Sequence, residues 1–181
     1  MSTSNADLRY PIGRNTYTGS ESEAEIEAWI EQVAGHAEAL KPVLERVPDE
    51  ALSWRYRPEG WTIRQVIHHM ADSHMNSIIR FKLALTEEKP TIKAYDEARW
   101  AELADTLNQD IHDSVHILEG VHARLGTLLH SLTAKDLIRT FIHPHHNKEM
   151  SIKELIGLYA WHGRHHIAHI EQALASKGQY T

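Results

Sequence analysis

The segment 151-SIKELIGLYAWHGRHHIAHIEQALAS-176 combines a helical repeat of apolar residues with four histidines. Ser151 and Glu154 have the spacing of an N-terminal capping box, and apolar side chains then recur every three or four residues. This repeat predicts one long amphipathic helix that ends near Gly178 and turns one face towards a core. The predicted inward face contains Ile152, Leu155, Ile156, Tyr159, His162 or Gly163, His166, Ile170 and Leu174.

The same kind of pattern predicts three further long helices, over residues 21–46, 62–88 and 110–131. In the last of these, the predicted inward residues are Ile111, Val115, Leu118, Val121, Leu125 and Leu128. The remaining segments are predicted to be an irregular N-terminal arm (1–20), an irregular connection with one helical turn near 96–103 (90–109), a short helical turn (133–137), and a loop or two-stranded excursion (141–150). We therefore expect an all-α fold, a four-helix bundle in a single domain of residues 1–181.

The composition excludes several classes of function. The chain has 181 residues, 15 histidines, no cysteine and a formal net charge of −6. Negative charge disfavours binding to nucleic acid or to an anionic membrane, and no apolar stretch approaches the roughly 18 residues that span a bilayer. We therefore expect a cytoplasmic protein with no nucleic-acid or membrane partner. Without cysteine, any thiol chemistry must use the sulfur of a bound molecule.

Two pairs of histidines in the segment 151–176 have the i, i+4 spacing that lets two imidazoles bind one metal ion from the same helix face. His162 and His166 continue the inward apolar stripe, whereas His165 and His169 lie on one flank of it. We favour the first pair as metal ligands. The second pair is expected to line the cavity or to supply hydrogen bonds to the ligands.

A catalytic metal ion usually has three protein ligands, so a third must come from another helix. In the helix predicted at 62–88, His69 lies at the margin of the apolar stripe and is the best candidate. Asp72 could also coordinate the ion or orient an imidazole, and His74 lies within the stripe. The histidines of the third helix and of 143-HPHH-146 show no comparable convergence, and no function is predicted for them.

The segments 10-YPIG-13, 60-GWTIRQVIHHMADSHMNSIIRFKLALTEE-88 and 157-GLYAWHGRHHIAHI-170 resemble the YfiT branch of the DinB/YfiT superfamily, which contains metal-dependent hydrolases now associated with bacillithiol S-transferase activity. The resemblance implies a DinB/YfiT-like four-helix bundle that is often a homodimer, with one zinc or nickel ion per chain. Carried over by motif, the metal ligands are His69, His162 and His166. One departure is Gly163-Arg164, where the branch has Ser-His.

The leading functional hypothesis is a metal-dependent S-transferase, in which a metal-activated thiolate of a low-molecular-weight thiol, bacillithiol by resemblance, attacks a small electrophile. Bacillithiol carries carboxylates and a sugar, and Ser73, Asn76 and Arg80 form a polar strip that is predicted to bind it. Asp72 and Arg80 are the predicted catalytic side chains. The alternatives are a metal-dependent hydrolase that uses a metal-bound water, with Asp72 as base, and a non-catalytic metal-binding module.

Overall fold

The computed structural model describes residues 7–144 and 148–181. Within these residues the chain forms eight α-helices, one 3-10 helix and one two-stranded antiparallel sheet. The helices are α1 (Glu23–Ala34), α2 (His36–Leu44), α3 (Ile63–Thr86), α4 (Glu97–Trp100), α5 (Ala104–Asn108), α6 (Ile111–His130), α7 (Ala134–Leu137) and α8 (Ile152–Ser176). The 3-10 helix covers Asp49–Ser53, and the strands are β1 (Thr140–His143) and β2 (Lys148–Ser151).

Helices α3, α6 and α8 form a four-helix bundle with the consecutive helices α1 and α2, which together make its fourth side. Helix α6 packs between α3 and the α1–α2 side, and α8 packs between the same two neighbours on the opposite side. The predicted all-α four-helix bundle is therefore confirmed. Because α3 and α8 are neighbours, the histidines of these two helices can meet in the interior.

The prediction of one continuous helix over residues 21–46 is wrong. Helix α1 ends at Ala34 and α2 begins at His36, with Gly35 between them at φ −85° and ψ 4°. Glycine has a low helix propensity. The carbonyl of Val33 lies 2.5 Å from Nδ1 of His122 instead of continuing the helical ladder. The apolar repeat continues through this break, so periodicity alone could not reveal it.

The buried face of α6 also differs from the predicted one. Its centre runs through Ser114, Leu118, His122, Leu125 and Leu129, all of them buried. The predicted inward residues Ile111, Val115, Val121 and Leu128 are only partly buried and lie at the edges of this face. The shift brings His122 into the bundle interior.

Capping side chains fix where the long helices begin. Ser22 and Thr62 form complete capping boxes with Glu25 and Gln65, each three residues further along the chain. At α8, the Ser151 side chain accepts a hydrogen bond from the N–H of Glu154. The Glu154 carboxylate forms an ion pair with Lys148 instead of closing a box. These caps set the register in which α3 and α8 present their histidines.

Segments outside the bundle pack against it or pair with each other. The described part of the N-terminal arm packs on α8, where Trp161 Nε1 donates to the carbonyl of Gly13 at 3.1 Å. Strands β1 and β2 pair from Thr140 with Ser151 to His143 with Lys148, so the two-stranded alternative for residues 141–150 is confirmed. In the described part of the chain, no helix is both long and apolar enough to cross a membrane.

Candidate metal centre

Three histidines from two helices meet inside the bundle. His69 comes from α3, and His162 and His166 come from successive turns of α8. One nitrogen of each ring lies within 4.8 Å of the corresponding nitrogens of the other two. The Nε2 atoms of His69 and His162 are 3.3 Å apart. The structure therefore brings together the three residues that the sequence predicts as metal ligands.

The spacing of two of these nitrogens is that of ligands on a tetrahedral metal ion. Zinc–imidazole bonds of about 2.0–2.1 Å place two nitrogen ligands about 3.3 Å apart, which is the separation of the Nε2 atoms of His69 and His162. Burial lowers the pKa of His69 to about 4, and a smaller effect comes from His165. Burial and neighbouring imidazoles also hold the pKa values of His162 and His166 well below their usual value. All three rings are therefore neutral near pH 7, and a neutral ring has a lone pair for a metal ion.

The second i, i+4 pair occupies the flank of α8 and packs against aromatic rings. His165 stacks on Trp161 with ring centroids 4.2 Å apart, and His169 stacks on Tyr56 at 3.8 Å. Nδ1 of His169 lies 3.3 Å from Nδ1 of His166, and its Nε2 lies 3.2 Å from the carbonyl oxygen of Arg9. His169 is therefore in position to orient His166 through a hydrogen bond, which is one of the two roles predicted for this pair.

A second group of buried histidines adjoins the first. His36, His74 and His122 come from α2, α3 and α6, and their ring centroids are 4.7 to 4.9 Å apart. Nε2 of His74 lies 3.0 Å from Nδ1 of His162, which links the two groups. The expectation that no histidine of the third helix converges on the site is therefore wrong for His122. The stripe formed with Leu118 and Leu125 at steps of four and three could have revealed it.

A cavity of about 690 Å³ opens beside His162. Two of the predicted thiol-binding residues, Ser73 and Arg80, line it together with Tyr159 and His143. Arg80 Nη1 donates to the Tyr159 hydroxyl at 3.2 Å. No function was predicted for His143, and the neighbouring positions 145 and 146 lie outside the described residues.

Two other predicted site residues point elsewhere. The Asn76 side chain donates to the backbone carbonyl of Asp72 at 2.9 Å, and neither residue is among those that line the cavity. Asp72 is half-buried, and burial together with the nearby Asp105 raises the pKa of its carboxyl to about 6. The catalytic role of Asp72 and the thiol-binding role of Asn76 therefore remain predictions without support from a contact.

Comparison with known proteins gives the family. The sequence model of the DinB superfamily matches residues 32–170 of this chain. The chain belongs to the DinB superfamily. The matched DinB region includes all three histidines of the candidate metal centre and the three of the adjoining group.

Individual members of the superfamily are similar over nearly the whole chain. A protein of Bacillus mycoides strain KBAB4 and one of Bacillus cereus strain 03BB102, both named "Putative metal-dependent hydrolase", are 50% identical over 165 residues, which are 91% of this chain and 94% of each relative. The solved structure of YfiT from Bacillus subtilis, described as a probable metal-dependent hydrolase with an unusual four-helix bundle topology, matches with a TM-score of 0.91 and 43% identity. It covers 95% of this chain and 98% of YfiT. These DinB relatives and the buried histidine group support a metal-dependent enzyme.

Proposed function

We propose that this chain is a metal-dependent S-transferase that conjugates a low-molecular-weight thiol, bacillithiol, to small electrophiles. The observation that carries the proposal is the position of Arg80. Arg80 lines the cavity that contains His162, and its Nε is buried with no hydrogen-bond partner among the described residues. A buried N–H without a partner is costly, and a carboxylate bound in the cavity would satisfy it.

The residues around Arg80 fix the direction of its guanidinium group. Its Nη1 donates to the hydroxyl of Tyr159, which in turn donates to the backbone carbonyl of Ser73 at 3.1 Å. Nη1 is therefore held in place, while the Nε–H remains to bind an anion. Bacillithiol carries carboxylates, and a guanidinium group binds a carboxylate better than an ammonium group does because its donors are planar and parallel.

The metal ion, which we propose to be zinc or nickel, would supply a positive charge that lowers the pKa of a thiol at an open coordination position. His69, His162 and His166 would hold the ion through neutral nitrogens. The chain has no cysteine, so the sulfur must belong to the thiol substrate. The ring of Trp61 packs against His69, with centroids 4.6 Å apart.

Hydrolysis is the second candidate because relatives at 50% identity are named as metal-dependent hydrolases. In that reaction water replaces the thiol, and a general base is needed. The raised pKa of Asp72, about 6, would suit a base near neutral pH. The third alternative, a non-catalytic metal-binding module, requires no turnover at all.

A three-arm assay on zinc- or nickel-loaded and chelated protein separates these functions. Loss of a generic electrophile such as monobromobimane is followed with bacillithiol, with 2-mercaptoethanol, and with no thiol. The transferase predicts turnover that requires both the metal and a thiol. Metal-dependent loss of the electrophile without thiol would support the hydrolase, and absence of turnover in every arm would support the binding module.

Arg80→Gln tests the carboxylate contact, with Lys82→Gln as the matched control because Lys82 is an exposed cation two residues away on the same helix. Loss of a charge-assisted hydrogen bond costs about 1.5–3 kcal/mol, so we expect Arg80→Gln to raise KM for bacillithiol about tenfold or more. The kcat/KM for 2-mercaptoethanol, which has no carboxylate, should change less than twofold. Equal losses for both thiols would contradict the contact.

We also propose that the chain acts as a homodimer in the cytoplasm, without nucleic acid or membrane partners. The support is the resemblance in sequence to a family that is often dimeric and the net charge of −6. Light scattering coupled to size exclusion gives the mass in solution directly. A mass near 20.7 kDa would contradict the dimer, since this is the mass of one chain.

A further inference from the structure

The two metal-ligand candidates of α8 each have a second histidine against their Nδ1 atom. Nδ1 of His162 lies 3.0 Å from Nε2 of His74. Nδ1 of His166 lies 3.3 Å from Nδ1 of His169. Both outer histidines are buried. The tautomer of each outer histidine therefore decides which nitrogen of the ligand beside it carries hydrogen.

Both outer contacts lead to a backbone carbonyl. Nδ1 of His74 lies 2.6 Å from Nε2 of His122, and Nδ1 of His122 lies 2.5 Å from the carbonyl oxygen of Val33. On the other side, Nε2 of His169 lies 3.2 Å from the carbonyl oxygen of Arg9. A carbonyl oxygen only accepts hydrogen bonds, so the nitrogen that faces it must carry the hydrogen.

The hydrogen positions follow one by one from these carbonyls, because a neutral imidazole has one N–H and one acceptor nitrogen. His122 donates from Nδ1 to Val33, so its Nε2 accepts from Nδ1–H of His74. Nε2 of His74 then accepts from Nδ1–H of His162, which leaves Nε2 of His162 without hydrogen. By the same reasoning His169 donates to Arg9 and accepts from Nδ1–H of His166, which leaves Nε2 of His166 without hydrogen.

We propose that His74, His122 and His169 are positioning residues that fix the Nδ1–H form of His162 and His166 and so keep both Nε2 atoms available to a metal ion. The inference rests on the metal centre of the proposed function. It does not depend on the substrate or on the reaction. We call the series from Val33 through His122 and His74 to His162 the long relay.

The same histidines could instead form a second metal site, since nitrogens of His36, His74 and His122 lie within 4.8 Å of one another. Two observations favour the relay. The 2.6 Å between Nδ1 of His74 and Nε2 of His122 is shorter than the spacing of about 3.3 Å between tetrahedral nitrogen ligands. An ion on Nδ1 of His74 would also place hydrogen on its Nε2. That hydrogen would point at Nδ1 of His162 and force the Nε2–H form on this ligand.

A matched pair of variants separates the two readings. His122→Leu removes the acceptor on which the long relay depends. His36→Leu replaces another buried histidine, whose ring centroid is 4.7 Å from that of His122 and whose Nε2 has no hydrogen-bond partner among the described residues. His36→Leu therefore disturbs the same packing and leaves the relay intact, although it would remove a ligand of a second metal site.

The experiment is two-bond ¹H–¹⁵N NMR of the imidazoles in the metal-free full-length protein, followed by zinc titration of the wild type and both variants. We expect Nδ1–H forms of His162 and His166 in the wild type, retention in His36→Leu, and a mixture at His162 in His122→Leu. Zinc affinity should fall about 10- to 100-fold in His122→Leu and less than threefold in His36→Leu.

An Nε2–H form of His162 in the wild type would overturn the proposal, and this measurement requires no variant to fold. Unchanged zinc affinity in His122→Leu would overturn it as well. So would two zinc ions per wild-type chain with one lost in His36→Leu. No thiol or electrophile is present, so failure of the proposed transferase activity would leave all of these results unchanged.

Discussion

Substitution of Gly163 by alanine tests the packing between the two histidine groups. A Cβ at this position would lie 2.5 Å from Nδ1 of His36 and 2.8 Å from its Cε1. These separations are well inside ordinary van der Waals contact. The His36 ring cannot retreat easily because the rings of His74 and His122 lie behind it, with centroids 4.9 and 4.7 Å away. Residue 163 must therefore be glycine while His36 keeps this position.

Two effects determine the size of the change. Replacing glycine by alanine inside a helix stabilises by about 0.5–1 kcal/mol. Forcing an extra carbon into a packed core costs about 1–3 kcal/mol. The overlap with a buried ring places Gly163→Ala at the upper end of that cost, so we expect a net loss of about 1–2 kcal/mol in the free energy of unfolding. The control is Gly120→Ala on α6, where no described atom outside the neighbouring helix backbone lies within 4 Å of the new Cβ; this variant should gain about 0.5–1 kcal/mol.

Urea denaturation of the metal-free protein measures both variants under one condition. With a slope of about 2 kcal/mol per M, the midpoint for Gly163→Ala should fall by about 0.5–1 M, and that for Gly120→Ala should rise by about 0.3–0.5 M. The double variant His36→Ala/Gly163→Ala should lose less than the sum of its two single changes. A rise in midpoint for Gly163→Ala, equal to that of Gly120→Ala, would refute the packing argument.

Three further outcomes follow. Burial lowers the pKa values of His36 and His122 in the folded protein to about 3 and about 4. Below pH 6.5 the unfolded chain therefore binds more protons at these two rings than the folded protein does. We expect each ring to lower the free energy of unfolding by about 1.5 kcal/mol between pH 6.5 and 5, measured by urea midpoints of the metal-free protein. Free zinc at 100 times its Kd should raise the melting temperature by about 5–10 °C over the chelated protein, and equal melting temperatures would contradict binding to the folded state. Thr62→Ala should cost about 1 kcal/mol, because the Thr62 side chain caps α3 by accepting from the N–H of Gln65; an unchanged urea midpoint would mean that this cap adds nothing.

The sequence predicted the bundle and the central histidines because both depend on short-range periodicity. His162 and His166 stand four residues apart on the apolar stripe of one helix, and His69 lies at the margin of the stripe of another, in agreement with the resemblance. The structure places these three rings together. The cap at Ser151 could also be predicted, because an N-terminal cap involves residues only three positions apart.

The second histidine group could not be predicted from local periodicity, because its members come from three separate helices. His36 reaches the interior only because the chain breaks at Gly35 and because Gly163 leaves room for its ring. Local periodicity shows neither the helix break at Gly35 nor the space left by Gly163, which lies 127 positions after His36 (163 − 36). The burial of His122 could be inferred from its spacing to Leu118 and Leu125, but only with the inward face of α6 assigned correctly.

Metal content per chain tests the central claim most directly, with His166→Ala and His165→Ala compared after zinc loading and removal of free ion. The two residues are adjacent and both buried, and they belong to the two alternative i, i+4 pairs. We expect one ion per wild-type chain, loss of the ion in His166→Ala, and full retention in His165→Ala. Retention of the ion in His166→Ala together with loss in His165→Ala would contradict the metal centre described above.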